Sequence, residues 1–418
     1  MTAVAPTRVG GSWLTLFTIA WLAIWTVQLT PVQLLLPLQL DSQNTGGQWL
    51  DGVVWSGIVL SVGGGAGIIA GPLSGRLSDR TRSRWGRRRP WGIGGSLLAA
   101  ASLVVTAFAD GPVAVGAAWI GVSVGIAVAS TALTALIADQ LTDQRGVASA
   151  AASSAQAVGI VVGVGAVVLL GLGIVESYLV LAGFIAIVGV ATAVLLPDPA
   201  HAETQGTQET QRGPRSSSLR DRDFLWLLSG RLVVNIGNAL GTALLLFFLI
   251  YGIGIPAASA EDSLLLLIVI YTVFVVLASI VAGAISDRRG AHRALTIIAA
   301  LIQGVAGIAI LASPTFEMLL VAAGLMGTGY GAYMAVSLSF STLLLRDPED
   351  HARDLGVVNV SASLGQLLGP LLGAGLVALV GGFWLVFAGA AALSIVGAVM
   401  TFAVRNPQRS LSPTAAPH

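Results

Sequence analysis

Long apolar runs constrain this chain more than any other feature. A helix needs about 20 apolar residues to cross the hydrocarbon core of a bilayer, and the sequence contains twelve runs of about that length. Only 10% of the residues are charged, whereas soluble domains carry about 25%. We therefore predict an all-α membrane protein with twelve transmembrane helices. The runs lie at residues 12–36, 51–75, 91–109, 112–138, 147–172, 177–196, 224–252, 263–285, 294–312, 317–345, 355–380 and 382–404.

A polar segment separates the sixth run from the seventh. Residues 197–223 are rich in Pro, Gln, Thr, Ser and charged side chains, a composition that cannot bury enough apolar surface to fold. The segment predicts a cytoplasmic linker between an N-terminal six-helix bundle (1–196) and a C-terminal six-helix bundle with a short tail (224–418). The first run is longer than a signal peptide and lacks a small-residue cleavage site, so we expect it to be retained as a helix.

Arginine is confined to one side of the predicted membrane. Cytoplasmic flanks collect Arg and Lys, whereas translocated loops are depleted in them. If the N-terminus is cytoplasmic, every loop and tail arginine falls inside and the outside loops hold none, which leaves only Arg231 within a run. We therefore expect a multi-pass protein of the cytoplasmic (inner) membrane of a bacterium, with both termini in the cytoplasm.

The residue types that are missing exclude several classes of function. The chain has no cysteine and no lysine, so it has no disulfide framework, thiolate nucleophile or Schiff-base lysine. The net charge of +1 gives no bulk attraction to nucleic acid. Clustered acids, histidines and nucleophile triads are missing from the runs, and no phosphate-binding loop occurs. The sequence therefore predicts neither an enzyme nor an ATP-driven pump, and no cofactor or metal.

The two halves of the chain repeat each other at two places. GRLSDRTRSRWGRRR, which starts at Gly75, recurs in a shorter form as GAISDRRGAHR, which starts at Gly283. Both segments stand between the second and third run of their half. A second match aligns SAQAVGIVVG (154–163) with SLGQLLGPLLG (363–373). Two matched segments at nearly equal offsets indicate duplication, which is typical of transporters built from two equivalent bundles.

The first of these segments identifies a family. The pattern G-x-L-S-D-R followed by G-R-R-R resembles the loop signature of the major facilitator superfamily, and this resemblance covers nearly the whole chain. The longer form DRTRSRWGRRRPW is similar to the loop of sucrose–proton symporters and of glycoside–pentoside–hexuronide symporters. The resemblance implies a transporter, secondary active or facilitative, that moves a small organic solute, a sugar or glycoside, by alternating access.

The resemblance also implies a gate on the cytoplasmic side. Asp79 is expected to pair across the interface between the halves and to lock that side when the outside is open. The segment IADQLTDQRG at the end of the fourth run is similar to the corresponding inner loop. Alternatively, the arginines set the orientation and bind anionic lipid headgroups. The predicted gating residues are Gly75, Asp79, Arg80, Asp139, Arg145, Asp287 and Arg288.

Polar side chains fall on single faces of the predicted helices. The seventh run carries Arg231, Asn235, Asn238 and Thr242 at the spacing of one helical face, and the tenth run carries tyrosines and serines in the same way. An arginine within a span is a functional-site hypothesis by default, with snorkelling to the membrane surface as the alternative.

The family resemblance implies that helices 1, 4, 7 and 10 line a central cavity. Amides and hydroxyls both donate to and accept from sugar hydroxyl groups, and an indole face covers the apolar side of a sugar. The predicted substrate-binding residues are Trp25, Gln28, Arg231, Asn235, Asn238, Tyr330 and Tyr333.

The coupling ion stays open at this point. No Asp or Glu lies in the middle of a run, and Asp51 and Asp139 at helix ends are the acids nearest to such a position. A proton is the candidate coupling ion, and facilitated diffusion is the alternative. Proton-coupled export of drug-like molecules and a receptor or scaffold without transport are the rival functions. We expect a monomer whose partners are the solute and membrane lipids.

Overall fold

The structure, a computed structural model, describes residues 10–44, 48–141, 145–197, 221–344 and 351–405. Within these ranges the side chains of 138, 145–146, 342–344 and 351–362 are outside the description. Arg145, a predicted gating residue, is therefore located by its backbone alone, and most of the predicted linker lies outside the described residues.

Twelve helices of membrane-spanning length make up the described chain, and no strand occurs among the described residues. This confirms the predicted all-α membrane fold. They are α1 (Gly11–Ser42), α2 (Trp49–Arg80), α3 (Arg89–Ala107), α4 (Pro112–Gln140), α5 (Arg145–Leu169), α6 (Ile174–Leu195), α7 (Arg222–Ala243), α8 (Ala257–Arg289), α9 (His292–Ala312), α10 (Phe316–Leu344), α11 (His351–Val380) and α12 (Trp384–Ala403).

Several helices extend beyond the apolar runs that predicted them. Helix α8 begins six residues before its run, with Ala257, and continues to Arg289. Polar residues at a helix end sit outside the hydrocarbon, where water or headgroups solvate them while the backbone hydrogen bonds continue. Hydropathy therefore marks the buried part of a helix and underestimates its length.

Helix α7 ends in an irregular segment. Its regular part stops at Ala243, and a short turn and a π-helical segment, Phe248–Ile253, follow. Gly254 closes the segment at φ 86°, a left-handed conformation that only glycine adopts without strain. The polar row of α7 thus lies on the regular part of the helix, which holds its side chains in fixed register.

The contacts divide the chain into two compact units. The first comprises Met1–Thr210 with Ala257–Leu265, and the second comprises Gln211–Pro256 with Leu266–His418. The division after Thr210 falls inside the predicted 197–223 linker. The first turns of α8 are grouped with the first unit, whereas the sequence placed all of α8 in the second half.

Glycine allows close helix crossings in the first unit, where α3 and α4 cross at Gly95 and Gly125. A Cβ atom added to Gly125 would lie 2.5 Å from the Ala99 nitrogen and 2.7 Å from the Gly95 oxygen. Helix α5 packs on α1 in a similar way, since a Cβ atom on Gly159 would lie 3.0 Å from the Thr26 nitrogen. These helices therefore meet backbone to backbone, as small residues permit in membranes.

The second unit repeats these crossings. A Cβ atom added to Gly329 on α10 would lie 2.7 Å from the Ala299 oxygen and 2.9 Å from the Gln303 nitrogen of α9. One added to Gly369 on α11 would lie 2.9 Å from the Ala239 carbonyl carbon of α7. The pairs α9–α10 and α7–α11 thus correspond to α3–α4 and α1–α5, so the sequence repeat is also a structural repeat.

Two pairs of polar contacts repeat as well. In the first unit, Arg88 donates to the Ser78 hydroxyl at 2.7 Å; in the second, His292 and Ser286 make the corresponding contact. The next residue in each half, Arg89 or Arg293, donates to a backbone carbonyl at the end of the last helix of its unit. Each bundle therefore ties its second, third and sixth helices together at the same end.

Candidate functional site

A buried arginine begins the polar face of α7. Arg231 is 3% exposed, and one of its Nη atoms donates to the Ser337 hydroxyl of α10. Its Nε atom has no hydrogen-bond partner among the described residues. The side chain therefore points into the bundle, and the structure does not show the snorkelled conformation that was the alternative.

Asn235 joins α7 to α10. Its Nδ2 atom donates to the Arg231 carbonyl oxygen at 2.8 Å, and its Oδ1 atom accepts from the Tyr330 hydroxyl at 3.2 Å. The carboxamide is thereby fixed one turn beyond the guanidinium. The structure thus brings together three predicted substrate-binding residues: Arg231, Asn235 and Tyr330.

A tyrosine of α8 completes this face. The Tyr271 hydroxyl donates to Asn238 Oδ1 at 3.2 Å, and the Tyr271 and Tyr330 rings stack with centroids 6.4 Å apart. The sequence reasoning missed Tyr271 because it lies in an almost entirely apolar run. The phenol could have identified it, because a tyrosine hydroxyl that is buried in a membrane helix needs a hydrogen-bond partner.

Tyr333 lies in the interior of the second unit. It is completely buried and packs with Val234, Ala299, Ala300 and Ala398. These neighbours are apolar and come from three other helices. The ring of Tyr333 thus packs in the core, while its buried hydroxyl has no hydrogen-bond partner among the described residues.

The two predicted residues of α1 belong to the first unit. Trp25 stacks on Trp21, with ring centroids 5.9 Å apart, and its Nε1 atom donates to the Ala152 oxygen of α5 at 3.2 Å. Gln28, one turn further along, is half-buried and makes no side-chain hydrogen bond to the described residues. The indole is thus held by packing and by one hydrogen bond.

A charged cluster lies at the end of α2, α3 and α4 in the first unit. Asp139 accepts from Arg87 Nη2 at 2.8 Å and from Arg88 Nε at 3.0 Å. Arg88 also pairs with Asp79 at 2.7 Å. The structure thus places Asp79 and Asp139, two predicted gating residues, on one arginine of the same half. The pairing of Asp79 across the two halves stays a prediction.

Two members of this cluster, Asp139 and Arg88, have pKa values shifted in favour of their charged forms. Burial alone would raise the pKa of Asp139, but hydrogen bonds from Arg88 and Arg87 outweigh it and lower that pKa below its usual range. Burial disfavours the charged form of Arg88, yet Asp139 and Asp79 raise its pKa above the usual value. Asp139 and Arg88 therefore both carry their charge at physiological pH.

Four other predicted gating residues make no ion pair among the described residues. Gly75 faces α4, where an added Cβ atom would lie 3.4 Å from Thr131 Cγ2. Arg80, Asp287 and Arg288 are exposed and make no ion pair with another described residue. Arg87 and Arg88, which the sequence analysis left out of the gate, carry the contacts instead. Their position just before the third apolar run is the sequence feature that could have identified them.

The first unit also contains a cavity, of about 30 Å³, between α1, α3, α4 and α6. Ala129 and Ser96 line it, and Arg89 lies at one end. The Gly125 and Gly329 crossings align Ala129 with Tyr333 of the second unit. The two bundles therefore differ in side-chain size at this position.

A family model matches nearly the whole chain. The family model of the Major Facilitator Superfamily matches residues 3–164, 82–261 and 258–418. Among solved structures, the nucleoside transporter NupG (a D323A mutant) superposes with a TM-score of 0.73 at 16% identity, over 94% of this chain and 99% of that one. A D-xylose–proton symporter superposes with a TM-score of 0.69 at 16% identity, over 94% and 97% of the two chains.

One curated relative matches over a short segment. An uncharacterised symporter of Synechocystis sp., sll1374, is 55% identical over 42 residues, which is 10% of this chain and 8% of the relative. The match therefore covers a small fraction of either protein, and the structural likeness above, at 16% identity, is a likeness of fold.

Proposed function

Because this chain belongs to the major facilitator superfamily, we propose that it is a secondary transporter that moves a small hydroxylated solute, a sugar or glycoside, by alternating access. The observation that carries the proposal is the polar face of α7, where Arg231 and two amides lie buried in a membrane-spanning helix. Such residues are costly in a membrane and are retained there for a function.

The chemistry of this face suits a hydroxylated ligand. Asn235, Asn238, Tyr271 and Tyr330 offer carboxamides and phenols, which exchange hydrogen bonds readily with hydroxyl groups. The stacked rings of Tyr271 and Tyr330 provide an apolar surface for the C–H side of a sugar ring. The structural neighbours described above are a transporter named for nucleosides and one named for D-xylose, both hydroxylated solutes. We assign Tyr333 a packing role and keep Trp25 and Gln28 as further ligand contacts.

The charged cluster acts in this proposal as the cytoplasmic gate. Arg88 joins Asp79 to Asp139 and so holds the ends of α2, α3 and α4 in one arrangement. A gate of this kind has to break or exchange ion pairs during transport, and partly exposed pairs do so at low cost. The arginine distribution supports a cytoplasmic position for this cluster and for both termini.

Coupling to a proton requires an acidic residue that can take up and release the proton during transport. The described acidic residues lie at helix ends, outside the middle of the spans. Asp139 is held in its charged form by two arginines, which makes it a poor proton carrier while the cluster is intact. A facilitator that follows the solute gradient satisfies the same observations.

The test is a thermal-shift screen of the purified full-length protein against sugars, glycosides and hydrophobic drugs. A ligand that binds the folded state raises the melting temperature. The proposal expects hydroxylated solutes to raise it, and expects Asn235→Ala to abolish that shift. Asn44→Ala removes an amide between α1 and α2 and is the matched control. Stabilisation by hydrophobic drugs alone would instead favour the hypothesis that the protein exports drug-like molecules.

A further inference from the structure

The charge of Arg231 is not balanced by any described residue of the protein. Its guanidinium is buried, and its described side-chain hydrogen bond goes to the uncharged hydroxyl of Ser337. The described ion pairs are those of Arg87 and Arg88, which belong to the first unit. The acidic residues of α7 to α12 whose side chains are described lie at or near helix ends: Asp221, Asp223, Glu261, Asp262, Asp287 and Glu317.

A buried charge without a counter-charge is unfavourable. Its transfer from water into a medium of low dielectric is offset only by an opposite charge and by hydrogen bonds to each of its N–H groups. The Ser337 hydroxyl provides one acceptor, whereas a guanidinium has five N–H donors, and Nε has no partner among the described residues. Among the described residues, Arg231 therefore lacks a counter-charge and most of its hydrogen-bond acceptors.

The carboxamide oxygens on the polar face of α7 already accept hydrogen bonds from the protein. The Oδ1 atoms of Asn235 and Asn238 both accept from tyrosine hydroxyls, those of Tyr330 and Tyr271. Their acceptor capacity is thus partly used by the protein. The Nδ2 atom of Asn238 makes no hydrogen bond to another described residue. A ligand at this face meets a cation and an amide N–H, and therefore has to supply acceptor oxygens.

From these contacts we infer that the solute bound at α7 is an organic anion, with one carboxylate that pairs with Arg231 and hydroxyl groups that reach the amides and tyrosines. A carboxylate brings a single negative charge and the planar geometry that a guanidinium binds in a bidentate manner. A phosphate monoester brings nearly two charges at neutral pH, and the site offers one cation. The inference rests on the proposed transport function and specifies its substrate as a hydroxy acid.

The first experiment compares acidic and neutral solutes of the same shape. Purified full-length protein is titrated with D-glucuronate and D-glucose, and with D-gluconate and D-sorbitol, by thermal shift and calorimetry. We expect the acid of a pair to bind at least about tenfold more tightly, since hydrogen bonds between charged groups are about twice as strong as neutral ones. Arg231→Gln should remove this preference, whereas Arg222→Gln, at the exposed start of α7, should leave it unchanged.

The outcomes separate the inference from the proposed function. If neutral sugars bind as well as their acids, or if the preference for acids survives in Arg231→Gln, the inference is wrong while a sugar transporter remains. If no acid stabilises the protein more than its neutral counterpart, the inference is wrong as well. If neither class binds and hydrophobic drugs do, the proposed function fails too.

A second experiment needs no ligand. In Arg231→Met a side chain of similar length replaces the guanidinium, and it removes an uncompensated buried charge. We expect the melting temperature of the ligand-free protein to rise by at least about 2 °C, given that about 1 kcal/mol corresponds to 2–4 °C for units of this size. Arg222→Met should change it by less than about 1 °C. A fall in the melting temperature of Arg231→Met would mean that the arginine stabilises the ligand-free bundle, and this would overturn the inference.

Discussion

Asp139→Asn tests the role of the charged cluster through stability. The substitution keeps the size of the side chain and removes its charge. Asp139 accepts from Arg87 Nη2 at 2.8 and 2.9 Å and from Arg88 Nε at 3.0 Å. After the change, Arg88 loses its ion pair with Asp139 and keeps the one with Asp79, and Arg87 loses its described partner. We expect the first unit to become less stable.

The size of the loss follows from the exposure of the partners. Hydrogen bonds to charged groups contribute about 1.5–3 kcal/mol when buried, whereas exposed ion pairs contribute about 0–1 kcal/mol. The side chains of Arg87 and Asp139 are 28% and 31% exposed, while that of Arg88 is 7% exposed. The Arg88 contact therefore dominates, and we expect a loss of about 1–2 kcal/mol. This corresponds to a melting temperature lower by about 2–8 °C.

The assay is thermal unfolding of the purified protein as a function of pH. The pKa of Asp139 is lowered in the folded state, so its contribution is fully present above the unfolded value of about 3.9 and is lost as the pH falls through the folded value. The difference between wild type and Asp139→Asn should therefore be constant between about pH 5 and pH 8 and shrink below about pH 4. Asp287→Asn, an exposed acid in the repeated segment, is the control and should change the melting temperature by less than about 1 °C. An equal effect of the two substitutions would refute the reasoning.

Three further outcomes are expected. Asp79→Asn should slow transport more than it weakens ligand binding, since Asp79 is 58% exposed in the cluster and lies on a different unit from Arg231. An unchanged transport rate at equal protein levels would mean that the loop containing Asp79 only sets the orientation of the protein in the membrane. Ala129→Leu should fill the 30 Å³ cavity and stabilise the protein by about 0.7 kcal/mol at roughly 24 cal/mol per Å³, with the exposed Ala117→Leu as a control that shows no gain. Reporter fusions should find the segment 197–223 in the cytoplasm, because all loop arginines then lie inside; exposure outside would invert the topology.

Much of the fold followed from features that report directly on the membrane. Hydropathy and the SDR repeat predicted twelve helices in two similar halves because each span must bury its own backbone groups in an apolar segment. The ends of α8 were missed for the same reason, since residues outside the hydrocarbon leave no apolar signal. The polar row of Arg231, Asn235 and Asn238 was visible because helical periodicity places these residues on one face.

The remaining site contacts depend on which helices are neighbours, and one helix's periodicity does not carry that information. Tyr271 meets Asn238 only because α8 packs beside α7 and α10. Tyr333 shares a face with Tyr330 in the sequence pattern, yet its environment is the apolar core that α9 and α12 supply. In the same way, Arg88 is the centre of the charged cluster because of the fold of the 81–88 loop. Three other arginines of that loop, Arg82, Arg84 and Arg87, give the same signal in the sequence.

Exchange of a radiolabelled solute across the membrane of proteoliposomes tests the central claim most directly. The solute is the one that raises the melting temperature most in the screen. The account predicts that wild-type protein catalyses its exchange against unlabelled solute, that Arg231→Gln loses both binding and exchange, and that Asp79→Asn retains binding but exchanges slowly. Tight binding of the solute by wild-type protein without any exchange would contradict the account, because it would describe a membrane receptor and not a transporter.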